Sequence, residues 1–266
     1  HHGPQVGRTI CDSQALWERL LALEPTHLSG LVHLCAVAAS RDDRALLDRT
    51  PRPNFTFRNY DLDVFHLAPD CEAQHDASHA AHGLTRFTEQ HFHYDTKFGD
   101  LGPEAFLDGY WQSPRYFESV AEEVRRTFTS FRTPLTHAQQ SLADQIRSCH
   151  AVCLNVRRSD FVADPVTRAY HGFCDEGYFQ RAAQLISSCV PDAHFFIFSD
   201  DVEWCQRANL VNGAACTLVT HEYAGDRFSA KLQLMSLCHH FILPNSSFGW
   251  WAAFLGSSPE KVVIVP

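Results

Sequence analysis

An apolar run ending in Asn155 and Val156 is followed at once by Arg157 and Arg158, with Asp160 two residues further on. Guanidinium groups stay charged at any working pH and make paired hydrogen bonds to phosphate oxygens, so two of them at a strand end suit a diphosphate. The bland alternative is an ion pair between one arginine and Asp160, with the other arginine in solvent. Asn245, Ser246 and Ser247 stand before a tryptophan-rich apolar segment that opens with Phe248. A helix starting there offers N–H groups and hydroxyls to an anion, or is an ordinary capped helix. Ser199, Asp200 and Asp201 end another apolar run, and their oxygens suit a ribose or base as well as the cap of a helix that begins at Val202.

These three stretches serve one site only if a single sheet edge carries them. Residues 151–156, 194–201, 216–220, 241–245 and 261–266 read as strands, separated by helical patterns over 175–190, 202–208, 229–240 and 246–256. Such alternation predicts right-handed crossovers, a parallel sheet, and ligands at the carboxyl ends of its strands. Within 175–190, Asp175 is the predicted N-cap and Tyr178, Ala182, Leu185 and Ile186 the predicted buried face. The first half is less regular. It has helical patterns at 12–24 and 31–40, a polar histidine-rich stretch through 66–100, and then a loop feeding a helix over 109–131 with Phe117, Val120, Val124 and Phe128 as its stripe. Pro134 to Thr136 reads as a linker between an acceptor-side domain over 1–135 and a Rossmann-like nucleotide domain over 136–266.

Composition narrows the function. The chain has 266 residues, 45% of them apolar, enough for a sizeable core, and its 22 basic against 31 acidic residues give a net charge of −9. That balance supplies no broad positive field for nucleic acid or an anionic membrane, so any phosphate site must be local. The ten cysteines are scattered, with Cys153, Cys189 and Cys238 inside apolar runs, and read as buried free thiols. None has CxxC spacing, and Cys238-His239-His240 cannot place three ligands around one ion, so no metal is expected. No run is long enough to cross a bilayer and no signal peptide is found. The expectation is a soluble catalytic domain, cytoplasmic or organellar, with compartment and oligomeric state unread. His1 and His2, followed by Gly-Pro, look like a tag remnant.

Hydroxyls, carboxylates and two arginines at three strand ends describe a nucleotide-sugar site, in which arginine replaces the divalent cation that neutralises a leaving diphosphate. The stretches "VRRSDF", "FSDD" and "LMSLCHHFILPNSSFGWWAAFL" resemble, in order and spacing, the three motifs of the α-1,2-fucosyltransferases of glycosyltransferase family eleven, and "GYWQSPRYF" resembles the stretch before that family's nucleotide domain. The resemblance covers about residues 58–266. It implies an α/β fold of the GT-B type with two Rossmann-like domains, and an inverting, cofactor-free and metal-independent transfer of L-fucose from GDP-fucose to the 2-hydroxyl of a galactose-type acceptor. It implies diphosphate contacts from Arg157 and Arg158, nucleotide or phosphate contacts from Asn245, Ser246, Ser247 and Phe248, and donor contacts from Asn155, Ser199, Asp200, Asp201 and Lys231. Asp160 and Asp164 are the carboxylates near enough in sequence to take the acceptor proton. His91, Tyr94, Asp95 and Trp111 are the acceptor-side candidates.

The sequence departs from the family pattern at Asn155, where histidine is usual, and at Ser159 and Phe161 in place of glycine and tyrosine. Lys231 stands where an acidic residue is usual, and an ammonium cannot accept the guanine N–H protons that a carboxylate would. Three readings stay open: Asp226 or Glu222 supplies the acid, backbone groups hold the base, or the donor carries another base or sugar. The family's opening "GGLGNQ" loop has only a poor counterpart at residues 28–34, and "KVVIVP" stops about where a last helix would follow. Either segments of the fold lie outside this sequence, or the first domain is rebuilt. A catalytically inactive relative that binds a glycan or partner is the remaining alternative.

Overall fold

A computed structural model of the chain describes residues 62–66, 85–91, 93–102, 105–163, 165, 168–169, 172–225 and 227–266. Two compact units divide between Arg132 and Thr133.

The second unit is built on one five-stranded sheet. Its strands are β3 (His150–Val156), β4 (Ala193–Ser199), β5 (Cys216–Val219), β6 (His240–Ile242) and β7 (Val263–Ile264), all parallel, in the order β5-β4-β3-β6-β7. The chain winds outward from β3 to β5, returns through a helix to the other side of β3, and winds outward again. Strand order therefore reverses between β3 and β6, which opens a crevice at their carboxyl ends. The predicted alternation of strands and helices is thus realised as a doubly wound α/β sheet.

Period-two alternation divides the side chains of the central strands between the two faces. Val152, Leu154, Val156, Phe195, Ile197 and Ile242 form a core with Phe179, Ala182, Ala183 and Ile186 of α4 (Glu176–Cys189) and Cys205 of α5 (Val202–Arg207). On the opposite face Cys153, Phe196, Phe198 and Phe241 are buried, and α6 (Ser229–Ser236) packs against α7 (Ser247–Leu255) and α2 (His137–Arg147). Asp175 caps α4 as expected, its carboxylate accepting from the Tyr178 N–H at 2.7 Å. The buried stripe is corrected: residues 179, 182, 183 and 186 follow the 3.6-residue period, and Leu185 falls on the solvent side at 57% exposure. Sequence reading assigned no element to α2, although Thr136 and Gln139 form a capping box, with bonds of 3.3 and 2.9 Å, just ahead of it.

In the first unit the described residues hold a two-stranded parallel sheet of β1 (Thr85–Thr88) and β2 (Ala105–Asp108), the helix α1 (Ala121–Phe128), and a 3-10 turn over Pro114–Val120. Val124 and Phe128 are buried as expected, and Phe65 packs edge-on against Phe128 at 5.1 Å. The expectation of a second Rossmann-like domain over 1–135 falls largely on residues outside those described.

Candidate active site

The in-register pairing of β3 with β4 sets Val156 beside Ser199, so the residues that follow each strand emerge side by side. Asp200 takes both arginines. Its Oδ2 accepts from Arg157 Nη1 at 2.8 Å and its Oδ1 from the Arg158 backbone N–H at 2.8 Å. Asp201 also divides its oxygens: Oδ1 caps α5 by accepting from the Trp204 N–H at 3.0 Å, and Oδ2 accepts from Arg158 Nε at 3.3 Å. The Arg158 guanidinium lies over the Trp204 indole, 3.9 Å from the ring centroid, and that of Arg157 lies 5.4 Å from the Phe161 ring. The Ser199 hydroxyl accepts from the Asp201 N–H at 2.8 Å, completing the turn.

This arrangement changes the expected division of labour. Each carboxylate oxygen of Asp200 and Asp201 accepts one of these bonds, so the two residues frame the cations and cap a helix. Each arginine thus forms an ion pair with a carboxylate 43 positions away, Arg157 with Asp200 and Arg158 with Asp201. Asp160 belongs to α3 (Ser159–Ala163), while Asp164 and Asp226 lie outside the described residues.

Lys231 reaches the same strand end from α6 and donates from Nζ to the Ser199 carbonyl at 2.9 Å. Burial pulls the Lys231 pKa down, and the nearby Asp200 carboxylate opposes that effect. The bond to Ser199 turns the Lys231 ammonium onto the backbone at the strand end where a donor contact is expected of it. Among the described side chains, three cations and two carboxylates gather at the ends of β3 and β4.

Across the crevice, at the end of β6, Asn245 and Ser247 are exposed and Ser246 caps α7, its Oγ accepting from the Gly249 N–H at 3.4 Å. Phe248 meets Phe228 edge-on at 6.1 Å. The first N–H groups of α7 lack intrahelical partners by construction, and the helix dipole favours an anion there. Tyr178 donates to the Leu243 carbonyl at 2.6 Å and fixes the chain just before this turn. Asn155 is corrected too. It is 4% exposed, donates from Nδ2 to the Phe198 carbonyl at 3.4 Å, and leaves Oδ1 without a partner. A Cβ on Gly249 would stand 2.8 Å from that oxygen, so Asn155 acts as a buried spacer under α7, which needs glycine at that contact.

The acceptor-side candidates belong to the first unit. Trp111 has no exposed surface and packs among Phe87, Phe98 and Tyr116 at 5.6, 5.6 and 5.2 Å. Its expected acceptor contact is therefore corrected to a packing role. Asp95 caps a 3-10 turn through the Lys97 N–H at 3.0 Å, and Tyr94 lies 4.2 Å beneath the Arg115 guanidinium. His91 and His93 are exposed and stacked 4.9 Å apart. Sequence reading missed Glu89, whose carboxylate accepts from the Tyr110 and Trp111 N–H groups at 2.6 and 3.2 Å and holds Trp111 at φ 52°. Burial raises the Glu89 pKa, and those two N–H bonds pull it back down. Gly109 has no side chain because Glu89 Cβ occupies the space, 2.2 Å from where one would begin.

Among the described residues no group of three histidines, cysteines or carboxylates is arranged to hold a metal, and no helix is long and apolar enough to cross a membrane. The chain is 32% identical, over 59% of its length and 53% of the relative's, to an α-1,2-colitosyltransferase of Escherichia coli. It is 27% identical, over 60% of its length and 45% of the relative's, to the human galactoside α-(1,2)-fucosyltransferase 1. It thus spans about half the length of these curated relatives. A solved structure of POFUT1 in complex with GDP-fucose aligns at a TM-score of 0.36 with 11% identity, covering 62% of this chain and 55% of that one. Residues 87–266 match the family described as Glycosyl transferase family 11. That match takes in the whole parallel sheet, the arginine pair and the turn before α7, and on that footing the chain belongs to glycosyl transferase family 11.

Proposed function

We propose that the chain carries the donor site of an inverting α-1,2-fucosyltransferase of the GT-B type, using GDP-fucose and a galactose-type acceptor. The observation that carries this reading is the framed pair Arg157 and Arg158, which follows β3 at the point where strand order reverses. Among the described residues neither Nη of Arg158 is bonded, so both can meet phosphate oxygens. The names of the bacterial and mammalian relatives share the α-1,2 linkage.

In the reaction so read, the acceptor 2-hydroxyl oxygen attacks C1 of the sugar from the face opposite the diphosphate. The bond from C1 to the phosphate oxygen breaks, and its electron pair stays on the diphosphate. Arg157, Arg158 and the N–H groups of α7 stabilise that growing charge, the task a divalent cation performs elsewhere. The acceptor proton passes to a carboxylate, for which Asp160 and Asp164 are the candidates. His91, Tyr94 and Asp95 are kept as the candidates for binding the acceptor.

A second reading keeps the chemistry and changes the donor. It rests on Lys231, which brings no carboxylate to the place where guanine would be read and keeps its ammonium on Ser199. The test is a thermal-shift panel with GDP, UDP, CDP, ADP and GDP-fucose, with and without chelator. Selective, chelator-insensitive stabilisation by GDP and GDP-fucose supports the first reading, and preference for another nucleotide supports the second. Turnover of the preferred nucleotide sugar undiminished in Arg158→Ala would remove the arginine clamp on which both readings rest.

A further inference from the structure

We infer that Trp204 is a positioning residue for the diphosphate site: its indole fixes the plane of the Arg158 guanidinium, so that both Nη groups face the leaving diphosphate. The inference rests on the reading of Arg158 as a diphosphate ligand. The guanidinium carbon lies 3.9 Å from the indole centroid, within stacking distance, and its Nε is held edge-on by Asp201 at 3.3 Å. A plane held on one face and along one edge has little freedom left to turn.

Both supports come from one helix start. Asp201 is the N-cap of α5 and Trp204 its third residue; the backbone N–H of Trp204 donates to the same carboxylate whose other oxygen receives Arg158. The indole also packs against the hydrophobic core beneath β3 and β4, which makes it a fixed platform. Arg157 differs, having a carboxylate partner at 2.8 Å and a more distant ring at 5.4 Å. An arginine on a flexible stem would lose more rotamer freedom on binding, and holding it beforehand reduces that loss.

The test is calorimetric binding of GDP and of inorganic pyrophosphate to the wild type, W204F, W204L, R158A and the W204L,R158A double variant. Pyrophosphate reads the arginine clamp whichever base the donor carries. A partly desolvated cation–aromatic contact of this kind predicts a roughly three- to tenfold loss of affinity for both ligands in W204L. W204F, which keeps an aromatic face, should stay within about twofold of the wild type, and W204L should cost nothing further once Arg158 is alanine. Unchanged affinity in W204L, or an equal loss from W204L with and without Arg158, overturns the inference and leaves the diphosphate reading standing. If R158A binds both ligands as the wild type does, the diphosphate reading fails and the role of Trp204 falls with it.

Discussion

Asp200 is the group on which the framed arginines depend, and replacing it measures how strongly they are held. Asp200→Ala removes a contact of 2.8 Å to the Arg157 guanidinium and another of 2.8 Å to the Arg158 backbone N–H. Asp200 and Arg157 are only 18% and 22% exposed, so solvent replaces little of what is lost. Hydrogen bonds involving a charged group contribute about 1.5–3 kcal/mol each, which places the combined loss near 3 kcal/mol after partial rehydration. For a unit of this size that corresponds to a fall in Tm of roughly 10 °C. Asp200→Asn keeps one acceptor oxygen for the Arg158 N–H and should lose about half as much. Thermal unfolding followed by near-ultraviolet circular dichroism is the assay. Arg157→Ala made in the Asp200→Ala background should cost less than it does alone, because the two changes remove the same ion pair. A fall of less than about 2 °C in Asp200→Ala, or strict additivity with Arg157→Ala, would mean that the carboxylate does not hold the pair and that the arginines are fixed by something else.

Gly249→Ala drives a methyl group against the buried Asn155 Oδ1 and should cost about 1–3 kcal/mol despite alanine's better helix propensity, with much of the loss recovered in the Asn155→Ala,Gly249→Ala double variant, as urea titration would read. Lys231→Met leaves the Ser199 carbonyl without its donor and should lower stability by about 1–2 kcal/mol; an unchanged urea midpoint would show that the ammonium is not a strut. Burial pushes the thiols of Cys174 and Cys205 up to about 11 from an ordinary value of 9.0. At pH 8 a thiol-reactive probe should therefore label the exposed Cys189 and Cys216 well before these two, as peptide mapping would show. The same shift sets a pH trend. Between 9.0 and about 11 the unfolded chain has lost these protons while the folded chain keeps them, so stability should decline as pH rises through that window in a series of melts.

The sequence by itself determined the α/β class, the parallel sheet of the second unit and the three stretches that meet at its carboxyl edge. The reason is that strand and helix periods, N-caps and the Arg157-Arg158 and Asn245-Ser246-Ser247 runs are local properties. Asp175 shows this: a carboxylate three residues before a helical N–H caps it whatever the rest of the chain does. Thr136 and Gln139 carry an equally local signal, the capping box that starts α2. Partner choice was not local. Asp200 and Asp201 reach the arginines because β4 lies beside β3 in register, and no periodicity states which strands are neighbours. The inward turn of Lys231, the burial of Asn155 under Gly249 and the enclosure of Trp111 likewise depend on which helix or loop covers each residue. Residue types announced the chemistry; strand order and packing decided which charges face a ligand and which hold the others in place.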